Sequence, residues 1–338
     1  MVMLSPMRAA VPLLDGLALL HRGKVRDTYE IDEDRMLVVS SDGVSIFDFV
    51  LNALIPKKGM ILTAMSHFWF RFLEEYNVKT HFIAAGVGID AFLPPHLRGN
   101  TDLQSRSMVV ERLSMDPVEF VARAYLTGSG LAEYARTGTM CGHLLPNGLQ
   151  DGDELPTILD TPTTKAENGH DEALDYAAVL ETYPHETLLL MDIFGAISVC
   201  AEDRGILLAD TKMEFGRNRS GLLMLGDEVG TPDSSRFWEE VIWREGRKIA
   251  EARKAPPPFD KQLVRAWGIA QGIDELDPLN ADDTAHVHGL AVPQDLIRQT
   301  THIYRYIFWR LIGIGVEEYM DRTLGVSLPK FDIDPALL

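Results

Sequence analysis

Apolar positions recur along this chain with two periods, and each predicts its own kind of element. Between Lys24 and Ser41 the pattern is strand, turn, strand: Val25 to Ile31, then Asp32-Glu33-Asp34, then Arg35 to Ser40, a hairpin near the amino terminus. Leu62, Met65, Phe68, Trp69, Phe72 and Leu73 recur at helical spacing and predict a helix over Leu62 to Tyr76. Shorter strands are expected at Lys79 to Ala84, Ser107 to Leu113 and Pro117 to Thr127, and a short helix entered through a serine at Ser129 to Arg136. Residues 143 to 172 are rich in Pro, Gly, Asp and Thr and read as one long loop. Pro184 opens a helix to about Asp203, and a charged strand with its neighbour Gly221 to Leu225 follows. Two more helices are expected at Asp260 to Gln271 and Pro293 to Gly313, with the acidic stretch Asp274 to Asp283 solvated between them.

The charged strand is the most informative segment. Gly205-Ile206-Leu207-Leu208-Ala209 ends abruptly in Asp210, Lys212 and Glu214. Period two puts these three on one face and Thr211, Met213 and Phe215 on the other. A buried strand thus delivers two carboxylates and an ammonium to one spot. Such a cluster costs desolvation energy unless it is paired or binds something, and a nucleotide phosphate with its magnesium would use all three charges. An exposed edge strand of mixed charge is the alternative.

Composition narrows the class. With 338 residues, 46% hydrophobic and 24% charged, the chain has the make-up of a soluble globular protein of about two domains. Its 32 basic and 50 acidic residues give a net charge of -18, which speaks against nonspecific nucleic-acid or anionic-membrane binding. A polyanionic ligand therefore needs a local basic site. Cys141 and Cys200 lack metal-type spacing and fit a reducing, cytoplasmic setting. Met1 to Leu20 lacks a signal-peptide pattern, and the apolar segments Leu188 to Ala201 and Tyr306 to Val316 read as too short to span a bilayer.

Other constellations join the charged strand. Gly23-Lys24-Val25-Arg26-Asp27 sets two cations on one side of a hairpin mouth beside a glycine that permits close approach, although no Walker or GxGxxG loop is present. Ser41-Asp42-Gly43-Val44-Ser45-Ile46-Phe47-Asp48 and Ile55-Pro56-Lys57-Lys58-Gly59 end elements with polar residues, as ligand loops and simple caps both do. Arg123 is embedded in apolar sequence and needs an anionic partner, either Glu119 or a ligand carboxylate or phosphate. Thr127-Gly128-Ser129-Gly130 then offers hydroxyls and amides at a helix start. Asp227 to Trp238 adds carboxylates, two serines and Arg236. His286 and His288 have no evident third metal ligand and read as a solvated loop, while Tyr304, Tyr306, Phe308 and Trp309 read as helix packing.

In this order these stretches resemble the phosphoribosylaminoimidazole-succinocarboxamide synthase family, the SAICAR synthetases of purine biosynthesis. Pro117 to Ser129 (PVEFVARAYLTGS) and Leu208 to Gly216 (LADTKMEFG) are similar to its most diagnostic motifs, and GKVRD, SDGVSIFD, TPTTKAE, HDE, GDEVGTPDSSRFW and FDKQLVRAW extend the resemblance over nearly the whole chain. Gly43 stands where the family commonly has arginine, and Glu239 to Pro258 is longer and more charged than the pattern. The resemblance implies an α+β fold of two domains: residues 1–113, a smaller β-rich part with an antiparallel sheet, and 114–338, a larger ATP-grasp-like sheet-and-helix part, with ATP clasped between them. It implies an ATP-dependent ligase that joins the carboxylate of carboxyaminoimidazole ribonucleotide to the amine of L-aspartate.

By the same resemblance Gly23, Lys24 and Arg26 meet the ATP phosphates, and the backbone at Val110, Glu111 and Leu113 forms an adenine hinge. Asp210 and Glu214 hold magnesium, and Lys212 lies near the nucleotide. Arg123, Thr127, Ser129, Asp233, Ser235 and Arg236 line the ribonucleotide site, with Lys261 and Arg265 at its edge. The loop from Thr161 to Asp171 is expected to close, and the enzyme to be a cytoplasmic monomer or small homo-oligomer acting on small molecules, without nucleic acid or membrane. A kinase-like phosphotransferase and a non-catalytic nucleotide sensor are the rivals. No HRD-type loop or glycine-rich nucleotide loop supports the first, and aspartate-dependent ADP release separates both from the ligase.

Overall fold

The computed structural model describes residues 13–165, 172–248 and 254–328. They form two compact units, one of residues 1–68, 81–112 and 261–338, the other of 69–80 and 113–260. All named strand pairings are antiparallel.

The first unit opens with β1 (Ala18–Arg22), β2 (Arg26–Glu30) and β3 (Arg35–Ser40), then the hairpin β4 (Gly43–Ile46) and β5 (Phe49–Leu54). Helix α1 (Lys58–Glu75) follows, its residues up to Phe68 in this unit and the rest in the other, then β6 (Phe82–Ala85), the short α2 (Thr101–Arg106) and β7 (Ser107–Glu111). The main sheet has the order β1-β2-β3-β7-β6. Its inward positions Tyr29, Leu37, Val39 and Val109 pack with Ile89, Leu93 and Leu103, as period-two alternation requires. Asp42 tethers the start of α1: its Oδ1 accepts the Gly59 N–H at 2.9 Å and its Oδ2 the Lys57 N–H at 3.2 Å.

The second unit is built on β8 (Ser114–Met115), β9 (Val118–Tyr125), α3 (Gly128–Thr137), the small hairpin β10 (Thr139–Met140) and β11 (His143–Leu144), β12 (Glu154–Asp160) and β13 (Thr163–Thr164). Then come α4 (Tyr176–Thr182), α5 (Pro184–Glu202), β14 (Ile206–Arg217), β15 (Leu223–Gly226), β16 (Ser235–Glu239) and α6 (Glu240–Arg247). The sheet runs β12-β9-β14-β15, with β13 on β9 and both β16 and β8 on β14. Phe120 of β9 meets Phe215 of β14 with ring centroids 5.2 Å apart, and Tyr183 at the entrance to α5 at 5.9 Å. The face holding Phe120, Met213 and Phe215 is therefore the helix-covered one. The opposite face is left to the charged residues.

The chain returns to the first unit with α7 (Gln262–Ala270), α8 (Ala281–Gly289), α9 (Gln294–Ile312) and α10 (Val316–Leu324). This corrects the expected division at 113/114. The boundary near residue 113 exists, but residues 261–338 do not belong with the second unit. The reason is hydrophobic: Val44, Ile46, Phe49, Leu51 and Ala53 of the β4–β5 hairpin need a cover, and Val264, Ile273, Val287 and Val292 supply it. A Cβ at Gly268 would come within 2.3 Å of the Ile46 side chain, so α7 lies directly on that hairpin.

Three further expectations change. The supposed loop 143–172 contains β12, seven residues on the edge of the sheet, where Pro156 is tolerated and a register shift falls between Glu154 and Leu159. His286 and His288 lie on α8, capped by Asn280, rather than in a loop. Helix α5 has 19 residues and is long and apolar enough to cross a membrane by length and composition, yet it buries Leu190, Ile193, Phe194 and Ile197 in the second unit. The expected closing segment lies partly outside the described residues.

Candidate active site

Strand β14 carries its charges to two places instead of one. Residues 210 and 214 are four apart on an extended strand, about 13 Å between their Cα atoms, and each finds different company. At the first place, Asp210 Oδ2 accepts from Arg123 Nη1 at 2.8 Å and from Arg236 Nη1 at 2.6 Å. Cross-strand register dictates this cluster, because Asp210 stands opposite Arg123 of β9 on one side and Arg236 of β16 on the other. Arg123 is buried and also donates through Nε to Thr161 Oγ1 at 2.9 Å and through Nη2 to Ser129 Oγ at 3.1 Å. Arg236 Nε lies 3.9 Å from Asp260.

The sequence offered Glu119 as the partner of Arg123, and the structure replaces it with Asp210. Glu119 and Arg123 are four residues apart on one straight strand and cannot meet. The start of α3 closes the cluster. Gly128 has φ +59, and a Cβ there would stand 3.0 Å from the Arg236 guanidinium, so the chain passes against the fork only as glycine. Thr127 caps α3 by position without a side-chain bond.

At the second place Lys212 reaches Glu119 at 2.5 Å and Glu214 at 3.8 Å, and Lys165 pairs with Glu214. Asp227 follows the partner strand, since Gly226 stands opposite Glu214, and its φ of 51 turns the chain there. Burial and then the Asp227 charge raise the Glu214 pKa, against the opposing pull of Lys212 and Lys165. Burial alone would lower the Lys212 pKa, but Glu119, Glu214 and Asp227 outweigh it and hold the ammonium above its usual range. Lys212 is accordingly a permanent cation at neutral pH. Three carboxylates and two ammoniums thus gather at this place.

Gly23 closes the β1–β2 turn, donating to the Arg26 carbonyl at 2.7 Å, and a Cβ there would stand 2.9 Å from that oxygen. Lys24, paired with Asp48, and Arg26 line a cavity of about 120 Å³ in the first unit. Val110 is buried on β7 between β3 and β6, and the Glu111 N–H donates to the His81 carbonyl at 2.7 Å, so this stretch spends its backbone on strand pairing. Leu113 falls in the second unit. Ser235 turns away from Arg236: its hydroxyl bonds Thr211 Oγ1 at 2.7 Å on the other face of β14. The Asp233 N–H leans on Thr231 Oγ1 at 3.3 Å. Lys261 precedes α7 and Arg265 lies over the Phe47 ring at 5.4 Å, both in the first unit.

Glu119, Thr161, Lys165 and Asp227 were absent from the expected site residues. Their signal is register: each lies on, or directly beside, a strand paired to β9 or β14.

Comparison with known proteins supplies the chemistry. The SAICAR synthetase family model matches residues 19–276. The phosphoribosylaminoimidazole-succinocarboxamide synthase of Rhodococcus jostii is 42% identical over 317 residues, covering 91% of this chain and 99% of its own, and that of Thermobifida fusca is also 42% identical, covering 91% and 94%. The solved structure described as SAICAR-synthase from Saccharomyces cerevisiae complexed SAICAR superposes with a TM-score of 0.75 at 34% identity, covering 90% of this chain and 97% of that one. This chain therefore belongs to the SAICAR synthetase family, ATP-dependent ligases that join carboxyaminoimidazole ribonucleotide to L-aspartate in purine biosynthesis.

Proposed function

We propose that the two charge clusters of β14 divide the ligase reaction, the arginine cluster holding the ribonucleotide and the carboxylate cluster serving the ATP phosphates. The observation that carries this reading is the separation of charge on one strand face. Two guanidinium forks converge at Asp210, while Glu119, Glu214 and Asp227 gather around Lys212 and Lys165 farther along. Anions bind at the first kind of place and cations at the second. Arg123, Arg236 and Ser129 are thus assigned to the ribonucleotide, and Lys24 and Arg26 to the ATP phosphates.

The donor chemistry fits magnesium at Glu214 and Asp227 rather than at Asp210. Magnesium takes one or two carboxylates together with phosphate oxygens. Burial first, and then the Asp227 charge, raise the Glu214 pKa, and a divalent cation between the two carboxylates would offset both. Asp210, between two guanidiniums, offers a cation no such gain. When bound, the ion would neutralise charge on the phosphates being transferred.

A carboxylate is a poor acyl donor, because oxide cannot leave. In the proposed sequence a carboxylate oxygen takes the γ-phosphoryl group, the bond to the β-phosphate breaks, and ADP forms. The aspartate amine then attacks the acyl carbon, and phosphate departs with the electrons of the C–O bond. Lys212, held protonated, offsets the charge that develops instead of taking the amine proton. Catalysis is positioning and charge neutralisation, with no protein nucleophile. The family is one of soluble biosynthetic enzymes, and we assign this member to the cytoplasm with small molecules as its substrates.

Two measurements test the reading. ADP release must require aspartate as well as the ribonucleotide. Ribonucleotide labelled with oxygen-18 in its carboxylate must pass one label into the released phosphate; unlabelled phosphate would remove the phosphoryl activation step.

A further inference from the structure

We propose that Arg106 is a third cation of the polyphosphate grip, held in reserve by Asp102 until nucleotide arrives. The proposal rests on the reading above that Lys24 and Arg26 meet the ATP phosphates. All three side chains line the same cavity of about 120 Å³ in the first unit, over a floor that includes Val39 and Leu51. That volume suits a stretch of phosphate better than a whole nucleotide.

The bonding of Arg106 marks it as available. Its Nε and Nη2 both donate to one oxygen, Asp102 Oδ1, at 3.0 and 2.8 Å, while Nη1 stands 3.5 Å from Asp42 Oδ1. The arginine side chain is 18% exposed, whereas that of Asp102 is 72% exposed. A solvated carboxylate one helical turn away is a weak clamp. Asp42 is already committed to the start of α1 through the Gly59 and Lys57 amides. Arg106 is therefore a planar fork, set in the cavity wall and restrained mainly by a partner that water can replace. A polyphosphate offers what that fork is shaped for, two oxygens side by side.

Local neutralisation points the same way. Asp27, the other acidic residue of the lining, is occupied by Arg22 at 3.0 Å, which lies outside it. The cavity thus carries three cations and two carboxylates in its lining, of which Asp27 is paired with Arg22 and Asp42 holds the α1 amides while standing 3.5 Å from Arg106. In this scheme nucleotide binding exchanges Asp102 for phosphate on Arg106, with no change in the charge carried by the protein.

Calorimetric titration of the full chain with magnesium and a nonhydrolysable ATP analogue tests this, with AMP as the single-phosphate comparison. Arg106→Gln is expected to weaken the analogue at least tenfold and leave AMP unchanged. Asp102→Asn, which removes the competitor, is expected to tighten the analogue several-fold, an effect that a merely structural salt bridge would not produce. The double variant Lys24→Ala/Arg26→Ala reports on the underlying reading. If it loses affinity while both single variants match wild type, the role of Arg106 is overturned and the nucleotide assignment stands. If all variants match wild type, both fall. A raised Michaelis constant for the ribonucleotide with unchanged analogue affinity would assign the cavity to the other substrate and overturn the proposal. Should Arg106→Gln fail to fold, Asp102→Asn decides alone: equal or weaker affinity refutes it.

Discussion

Replacing Asp210 with asparagine separates the anion-site reading from the magnesium-ligand reading that the sequence suggested. The change keeps the shape and one carbonyl oxygen, and removes the charge between two guanidiniums. The two Nη1 atoms both bond Asp210 Oδ2, at 2.8 and 2.6 Å, so they lie within about 5.4 Å of each other. At an effective dielectric of about 20, two unit charges at that distance repel by roughly 3 kcal/mol. The side chains are only 10 to 15% exposed, so salt screens this little. In the wild type Asp210 offsets that repulsion, and removing one partner of a buried ion cluster typically costs about 3–5 kcal/mol, so Asp210→Asn should lower unfolding stability by about 3 kcal/mol or more in urea titrations. It should also make the protein a better phosphate binder, because an anion now supplies the missing charge and stabilises the native state by mass action. The assay is urea denaturation of variant and wild type with and without inorganic phosphate, the wild type correcting for general salt effects. Unchanged stability, combined with a raised magnesium requirement for turnover, would refute the reasoning and return Asp210 to the metal.

Asp227→Asn should raise the magnesium concentration needed for half-maximal turnover by at least tenfold and reduce the upward pKa shift of Glu214, which a magnesium titration and carboxyl NMR would check. Gly128→Ala combines a backbone φ of +59 with a Cβ 3.0 Å from the Arg236 fork, so the ribonucleotide Michaelis constant should rise while that of ATP holds. In the first unit, burial alone would raise the Glu317 pKa, but Arg305 and Lys57 outweigh it and depress it from 4.5 to about 2. A depressed carboxylate pKa stabilises the fold above the unfolded value and loses that contribution as pH falls. Glu317→Gln should accordingly cost roughly 3 kcal/mol at pH 7, and the gap from wild type should shrink between about pH 4.5 and pH 2 in urea titrations across that range.

What was legible in the sequence was whatever period two could carry. The alternation through Asp210, Lys212 and Glu214 correctly separated the charged face of β14 from Met213 and Phe215, which meet the helix side. Periodicity within one strand says nothing about its neighbour, however, and the partner of Arg123 was hidden for that reason. Glu119 was the nearest acid to Arg123 along the chain, but register brought Asp210 opposite it and left Glu119 to Lys212. The turn chemistry of 143–172 hid β12 because edge strands accept the Pro and polar residues that mark loops. The domain division was illegible for a related reason: the residues that cover Ile46 and Leu51 lie more than 200 positions later in the chain.

That last arrangement has a consequence for how the chain is made. The second unit consists of residues 69–80 and 113–260, so all of it has been synthesised before its partner unit can be completed. The first unit begins earlier and finishes last. Until α7 and α8 emerge, the β4–β5 hairpin exposes Ile46, Phe49 and Leu51, an apolar face of the kind that pairs with other chains when left open. Closing it also joins segments far apart in sequence, the slow kind of contact. A ribosome that stalls after residue 260 would thus release one finished unit and one sticky half, and chaperone capture should be strongest over that interval of synthesis.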